Sequence, residues 1–138
     1  MIPRSYLFVP GDRPERFDKA LTSGADRVVL DLEDAVAPES KEKARAAVAA
    51  RLHGADAAER ERLVVRINDE STAWFDADLA LLQAGGARAG MLPKAENAAT
   101  VARLRGACPA LEVLALIESA RGVLHAAAIA AAPGVGRL

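Results

Sequence analysis

The sequence predicts an α/β fold built on a parallel sheet, and two observations carry that expectation. Short apolar runs rich in Val, Leu and Ile recur without clean alternation, the pattern of strands buried on both faces beneath helices. Between them lie polar or glycine-containing turns and amphipathic stretches, so that strand and helix alternate at the length of a βαβ unit.

Ser5–Val9 is the first expected strand. Pro14 suits a first helical turn, where its missing N–H goes unnoticed; Phe17, Ala20 and Leu21 then line one face until Gly24 offers a left-handed stop. Arg27–Asp31 is the second strand. Ser40 can cap the next helix, whose stripe is Ala44, Ala47, Val48 and Leu52 and whose end is Gly54. Leu63–Ile67 is the third strand, followed by a helix that Ser71 or Thr72 can cap, with Phe75, Leu79 and Leu82 on one face and Gly85-Gly86 behind. Ala89–Leu92 is the fourth strand, and Asn97 can cap a helix closed by Gly106 and Pro109. Val113–Ile117 is the fifth strand, Ala120–Ala131 the fifth helix, and a sixth strand begins at Val135.

Right-handed βαβ units in this order give either a doubly wound open sheet or a TIM barrel. No G-x-G-x-x-G follows any strand, which counts against a dinucleotide-binding Rossmann domain. A (β/α)₈ barrel needs roughly 250 residues, so residues 1–138 would be the N-terminal part of one barrel domain, about five and a half βα units. With the helices outside, the inner face of the sheet should carry Leu7, Val9 or their neighbours, Val28, Leu30, Val65 and Ile117. Left bare, such a partial barrel exposes this face and two strand edges, so it should need its remaining strands from its own chain or a partner.

With 51% hydrophobic residues the chain can bury a core. Eighteen Lys and Arg against nineteen Asp and Glu leave no clustered basic excess for nucleic acid or an anionic membrane. Cys108 is the only cysteine, which rules out an intrachain disulfide, disfavours a Cys-based zinc site and fits a reducing, cytoplasmic compartment. The N-terminal apolar run is too short for a signal peptide, and Val123–Pro133, interrupted by His125, falls well short of the ~20 residues of a membrane span. A soluble protein is expected.

Barrel enzymes keep their chemistry at the carboxyl ends of strands. Those ends read Pro10-Gly11-Asp12-Arg13, Asp31-Leu32-Glu33-Asp34, Arg66-Ile67-Asn68, Pro93-Lys94-Ala95-Glu96 and Glu118-Ser119-Ala120-Arg121. Every one carries polar or ionisable groups.

The segments RSYLFVPGDRPERFDKA, ADRVVLDLEDAV with the following KEKAR, LVVRIN, MLPKAE and LALIESARGVL, in this order and spacing, resemble the citrate lyase β-subunit branch of the HpcH/HpaI aldolase superfamily. The resemblance spans nearly the whole chain. It implies a TIM barrel, a divalent metal (Mg²⁺, with Mn²⁺ as a substitute), and carbon–carbon cleavage or formation of a 3-hydroxyacyl-CoA thioester such as citryl-, malyl- or citramalyl-CoA. It also implies a homo-oligomer, trimer or hexamer, with small-molecule partners.

Under this resemblance Glu118 matches the first metal-binding carboxylate, and an aspartate beyond residue 138 would be the second. Arg66 matches the arginine that grips the substrate carboxylate, a bidentate task lysine does poorly; its bland alternative is a rim salt bridge to Asp31 or Asp34. Glu33 and Asp34 border the metal pocket, and strand alternation sends Asp31 and Glu33 the same way; a loop paired to nearby lysines is the other reading. Lys94 could attack a carbonyl if desolvated, but the family is metal-dependent, so a rim charge is expected. Phe8, Arg13 and Lys19 match positions that contact the thioester cofactor; core packing and a solvated helix face are the alternatives. His53, His125 and Cys108 read as structural. The rival functions are a CoA-independent aldolase for 4-hydroxy-2-oxo acids and a non-catalytic truncated homologue acting as a partner subunit.

Overall fold

A computed structural model describes residues 2–138. Six strands form one sheet: β1 (Tyr6–Pro10), β2 (Arg27–Asp31), β3 (Leu63–Arg66), β4 (Ala89–Leu92), β5 (Glu112–Ala115) and β6 (Val135–Arg137). All pair in parallel and in strict sequence order. A doubly wound sheet reverses its order at a switch point; these strands do not. Nor do they close, and β1 and β6 are the edges of an open sheet rather than neighbours in an eight-stranded barrel.

The sheet is nevertheless curled. In a flat sheet β1 and β6 would lie about 24 Å apart, five strand spacings, yet the Arg137 guanidinium sits 5.6 Å from the Tyr6 ring and donates to the Pro3 carbonyl at 2.8 Å. Across the same concave face, Arg27 at the start of β2 reaches Glu112 at the start of β5 at 2.6 Å.

The helices are α1 (Phe17–Leu21), α2 (Lys41–Gly54), α3 (Ala57–Arg62), α4 (Phe75–Gly85), α5 (Ala98–Ala107) and α6 (Ala120–Ala130). The main core lies between them and the sheet, where Phe17, Val48, Leu52 and Leu82 pack on Val28, Leu30, Val65 and Val113. Gly85 lets α4 approach α2: a Cβ there would lie 2.7 Å from Leu52 Cδ1. A second, smaller cluster on the concave face joins Val29, Val64, Ala89, Met91 and Leu114, with Tyr6 and Leu116 against it.

This inverts the expected facing. Val9, Val28, Leu30 and Val65 belong to the helix side, while their sequence neighbours Val29 and Val64 face inward. When both faces of a strand are apolar, period two says which residues share a face but not which face is which.

Two expected caps fail. Ser40 ends a 3₁₀ turn, Pro38–Ser40, and makes no side-chain cap, and α4 starts after Trp74, uncapped by Ser71 or Thr72, because Asp69 draws in the Ser71 N–H and the Thr72 hydroxyl donates to the Asp69 carbonyl. Asn97 does cap α5, accepting from the Thr100 N–H at 2.9 Å. Helix α3 escaped the periodicity reading because it buries no residue; its signal is Asp56, which caps it, three before Glu59. No helix among the described residues is long and apolar enough to cross a membrane.

Candidate functional site

The carboxyl ends of β2 to β5 bring one continuous run of charged groups together. Asp31, the last residue of β2, lies beside Arg66, the last of β3, in register. Asp31 is fully buried, and its carboxylate accepts Arg66 Nε at 2.8 Å and Nη2 at 2.6 Å. The same oxygens accept the backbone N–H groups of Glu33 and Ala35, so Asp31 also shapes the loop that follows it. This hydrogen-bonded pairing raises the Arg66 pKa above its ordinary value, burial opposing it.

Asp31 takes the side edge of the Arg66 guanidinium and leaves Nη1 and the outer N–H of Nη2. Nη1 stands 3.1 Å from Glu33 Oε2, an ion pair without hydrogen-bond geometry, so this buried oxygen has no donor among the described residues. Phe8 closes the third side, its ring centre 4.9 Å from Arg66 Cζ, a cation–π contact. Glu33 Oε1 accepts Lys94 Nζ at 3.0 Å, and this hydrogen bond raises the Lys94 pKa. Lys94 thus carries a proton through neutral pH, the wrong state for nucleophilic attack. The backbone N–H of Lys94 donates to Glu118 Oε2 at 2.8 Å.

Arg66, Glu33, Lys94, Glu118 and Phe8 are therefore joined by direct contacts. Asp34 lies beside them, exposed, on a cavity of about 320 Å³ that Glu33, Lys41, Asn68, Trp74 and Lys94 also line. Arg13 and Lys19 stand apart, exposed and without an ion pair among the described residues. Lys19 borders a larger cavity, about 690 Å³, that runs along β1 and α1 and shares Phe8 with the charged run. The smaller cavity takes Glu33 and Lys94 from the charged run and the larger takes Phe8, while Arg66 and Glu118 line neither, so cavity size does not identify the site.

Sequence reasoning missed the groups that brace this arrangement. Lys41 is buried and donates to the Leu32 and Glu33 carbonyls, both at 2.7 Å, with its Nζ 5.0 Å from the Trp74 ring. Burial pulls its pKa down. Buried Asp78 receives the backbone and side-chain N–H groups of Asn68 after β3. Asp78 sits on an otherwise amphipathic helix, and a charge on its inward face was the available signal. His53 and His125 bond backbone carbonyls at 2.7 Å, His125 to Glu96 just after Lys94, and Cys108 is a buried free thiol with its pKa raised by burial; none contacts the charged side chains.

Glu118 is exposed at the mouth of the site, and Lys94 holds only one of its oxygens. The other is a hard ligand of the kind Mg²⁺ accepts alongside several waters. Among the described residues no three His, Cys, Asp or Glu side chains converge as a metal cage. The residues present fit a Mg²⁺ held by one protein carboxylate with water or substrate oxygens completing the shell.

Comparison with known proteins identifies the family. Residues 4–137 match the model of the HpcH/HpaI aldolase/citrate lyase family. The chain is 39% identical over 130 residues to a (3S)-malyl-CoA thioesterase of Cereibacter sphaeroides, covering 94% of this chain and 45% of that protein. It is 40% identical over 141 residues to an L-malyl-CoA/β-methylmalyl-CoA lyase of the same species, covering 93% of this chain and 44% of the relative. Among solved structures, the Mycobacterium tuberculosis protein CitE in complex with magnesium, acetoacetate and coenzyme A superposes with a TM-score of 0.84 at 46% identity. That match covers 98% of this chain and 48% of the other. The chain thus spans a little under half the length of these relatives.

Proposed function

The chain belongs to the HpcH/HpaI aldolase/citrate lyase family, and on that premise we propose that it carries the substrate-gripping half of a Mg²⁺-dependent lyase acting on 3-hydroxyacyl-CoA thioesters. Its six strands in sequence order are then the first part of a (β/α)₈ barrel, in a cytoplasmic homo-oligomer. The observation that carries the reading is the Arg66 guanidinium: locked edge-on by buried Asp31, it keeps Nη1 and the outer N–H of Nη2 out of that pair, and Glu33 and Lys94 link it to Glu118.

In this reading Glu118 would hold Mg²⁺, which supplies Lewis-acid polarisation of the oxo-acid oxygens. Arg66 binds the substrate's carboxylate with its remaining N–H groups, and Asp31 keeps that fork from rotating. Glu33 and Lys94 neutralise each other at the wall and hold the spacing between Arg66 and Glu118. The substrate's hydroxyl loses its proton to a base, and its carbon becomes the oxo-acid carbonyl as the carbon–carbon bond breaks. The electron pair passes to the thioester as an acyl-CoA enolate that then takes up a proton; Arg66 stays paired with the retained carboxylate of the oxo acid. Phe8 and Lys19, on the cavity along β1, are placed to meet the coenzyme A arm; a CoA-free aldolase has no use for a cation there.

The 39% identity to a malyl-CoA thioesterase favours a second reading, hydrolysis of the same class of thioester. Incubation with citryl-, malyl- and citramalyl-CoA and Mg²⁺ separates the two. Release of an oxo acid with an acyl-CoA supports the lyase, and release of free CoA thiol supports the thioesterase. Turnover of free 4-hydroxy-2-oxo acids but of no thioester would overturn both.

A further inference from the structure

Lys94 is the one non-glycine residue among the described residues with a left-handed backbone, φ 47°. Lysine gains nothing from that conformation, and side chains with a Cβ adopt it at a cost. Two contacts use it. The Lys94 N–H points at Glu118 Oε2 at 2.8 Å, while the side chain leaves the turn in the other direction to reach Glu33 Oε1 at 3.0 Å.

The turn around Lys94 is fastened at several points to the segment between β5 and α6 and to the first half of α6. Ala95 N–H donates to the Leu116 carbonyl at 2.9 Å, and Ser119, which caps α6, donates its hydroxyl to Glu96 Oε1 at 2.7 Å. His125 Nδ1 lies 2.7 Å from the Glu96 carbonyl. Gly122 permits the approach, since a Cβ there would stand 2.6 Å from the Ala95 carbonyl oxygen. Glu118 therefore emerges between two elements that cannot slide past each other, with one oxygen already spoken for.

We propose that Lys94 is a positioning residue with two separable arms: its left-handed backbone amide aims Glu118 so that only Oε1 faces the metal, and its side chain sets Glu33 against Arg66. This rests on the reading of Glu118 as a metal ligand. It predicts an unusual order of tolerance, in which glycine is the conservative replacement for the amide arm and a β-branched residue the disruptive one.

The test is Mn²⁺ affinity, followed by electron paramagnetic resonance of the free ion, with the melting temperature recorded for each variant. Lys94→Gly keeps the amide in place and should hold the Mn²⁺ Kd within about threefold, whereas Lys94→Val, forced from positive φ, should weaken it by ~10–100-fold, the usual effect of losing an outer-shell partner. Equal weakening in both variants, or none in Lys94→Val while Glu118→Gln abolishes binding, overturns the positioning role. If Glu118→Gln leaves Mn²⁺ binding unchanged, the metal-ligand reading fails instead. Should Lys94→Val not fold, the Lys94 amide proton resonance decides: it should move upfield in Glu118→Gln, and a stationary signal overturns the contact.

Discussion

Strand β2 carries a charge at each end, and the two ends have different fates. At its amino end Arg27 pairs with Glu112 across the concave face at 2.6 Å. That pair is a single cation with a single anion, and it ties β2 to β5. At its carboxyl end Asp31 starts a run in which Asp31, Glu33 and Glu118 meet Arg66 and Lys94 in direct contacts, and with Asp34 and buried Lys41 alongside, four carboxylates face three cations. The amino end balances one charge against one and serves curvature, although Arg27 Nη1 is buried without a hydrogen-bond partner among the described residues; the carboxyl end keeps a surplus carboxylate, which suits a cation. The same strand thus separates a closed structural ion pair from the open charged run of the proposed site.

The sharpest way to break this contrast is to remove Arg66. Arg66→Met leaves a fully buried Asp31 without its partner and should cost about 3–5 kcal/mol of unfolding free energy, read by urea denaturation. Arg66→Lys keeps the charge and loses the fork, and should lower kcat/KM for the thioester substrate by about tenfold or more. A loss of stability below about 1 kcal/mol in Arg66→Met would show that the Glu33 and Ala35 N–H groups suffice for Asp31.

At the amino end the effects should be smaller and confined to stability. The Glu112 side chain is 39% exposed, so water screens its pair with Arg27. Glu112→Gln should cost on the order of 1 kcal/mol and leave the Mn²⁺ affinity untouched. A change in metal affinity would mean that the two ends are coupled through the sheet.

The smallest effect concerns Asp26, just before β2, which accepts the backbone N–H groups of Arg4 and Ser5 and the Ser5 hydroxyl. The Arg4 and Ser5 N–H bonds, foremost among the causes, hold its pKa below 3.8. A carboxylate with a depressed folded pKa stabilises above its unfolded value and loses that contribution as pH falls through the folded one. Acid titration below pH 3.8 should therefore loosen the attachment of the segment before β1, seen as lower protection of the Arg4 and Ser5 amides relative to their free-peptide exchange rates, and Asp26→Asn should flatten that dependence. Protection of the Arg4 and Ser5 amides that stays constant across this range in the parent protein would remove Asp26 from this role.

By itself the sequence determined the strand–helix order, the approximate place of every strand, and the set of ionisable residues at the strand ends. These are local matters: β-rich runs, turn residues and caps such as Asn97 act within a few positions. The resemblance carried by PGDRP, DLED, VVRIN, LPKAE and IESARG added the family, which the comparison with known proteins bears out. Tertiary structure alone decided which face of each strand looks inward, because Val28 and Val29 are equally apolar and only helix packing distinguishes them. It also decided that Arg66 gives its side edge to Asp31, thirty-five residues away, when Asp34 was an equally good partner on paper. The left-handed turn at Lys94 lay beyond any local rule, for lysine has no preference for positive φ and adopts it here where the clamp between the 94–96 turn and α6 holds the backbone.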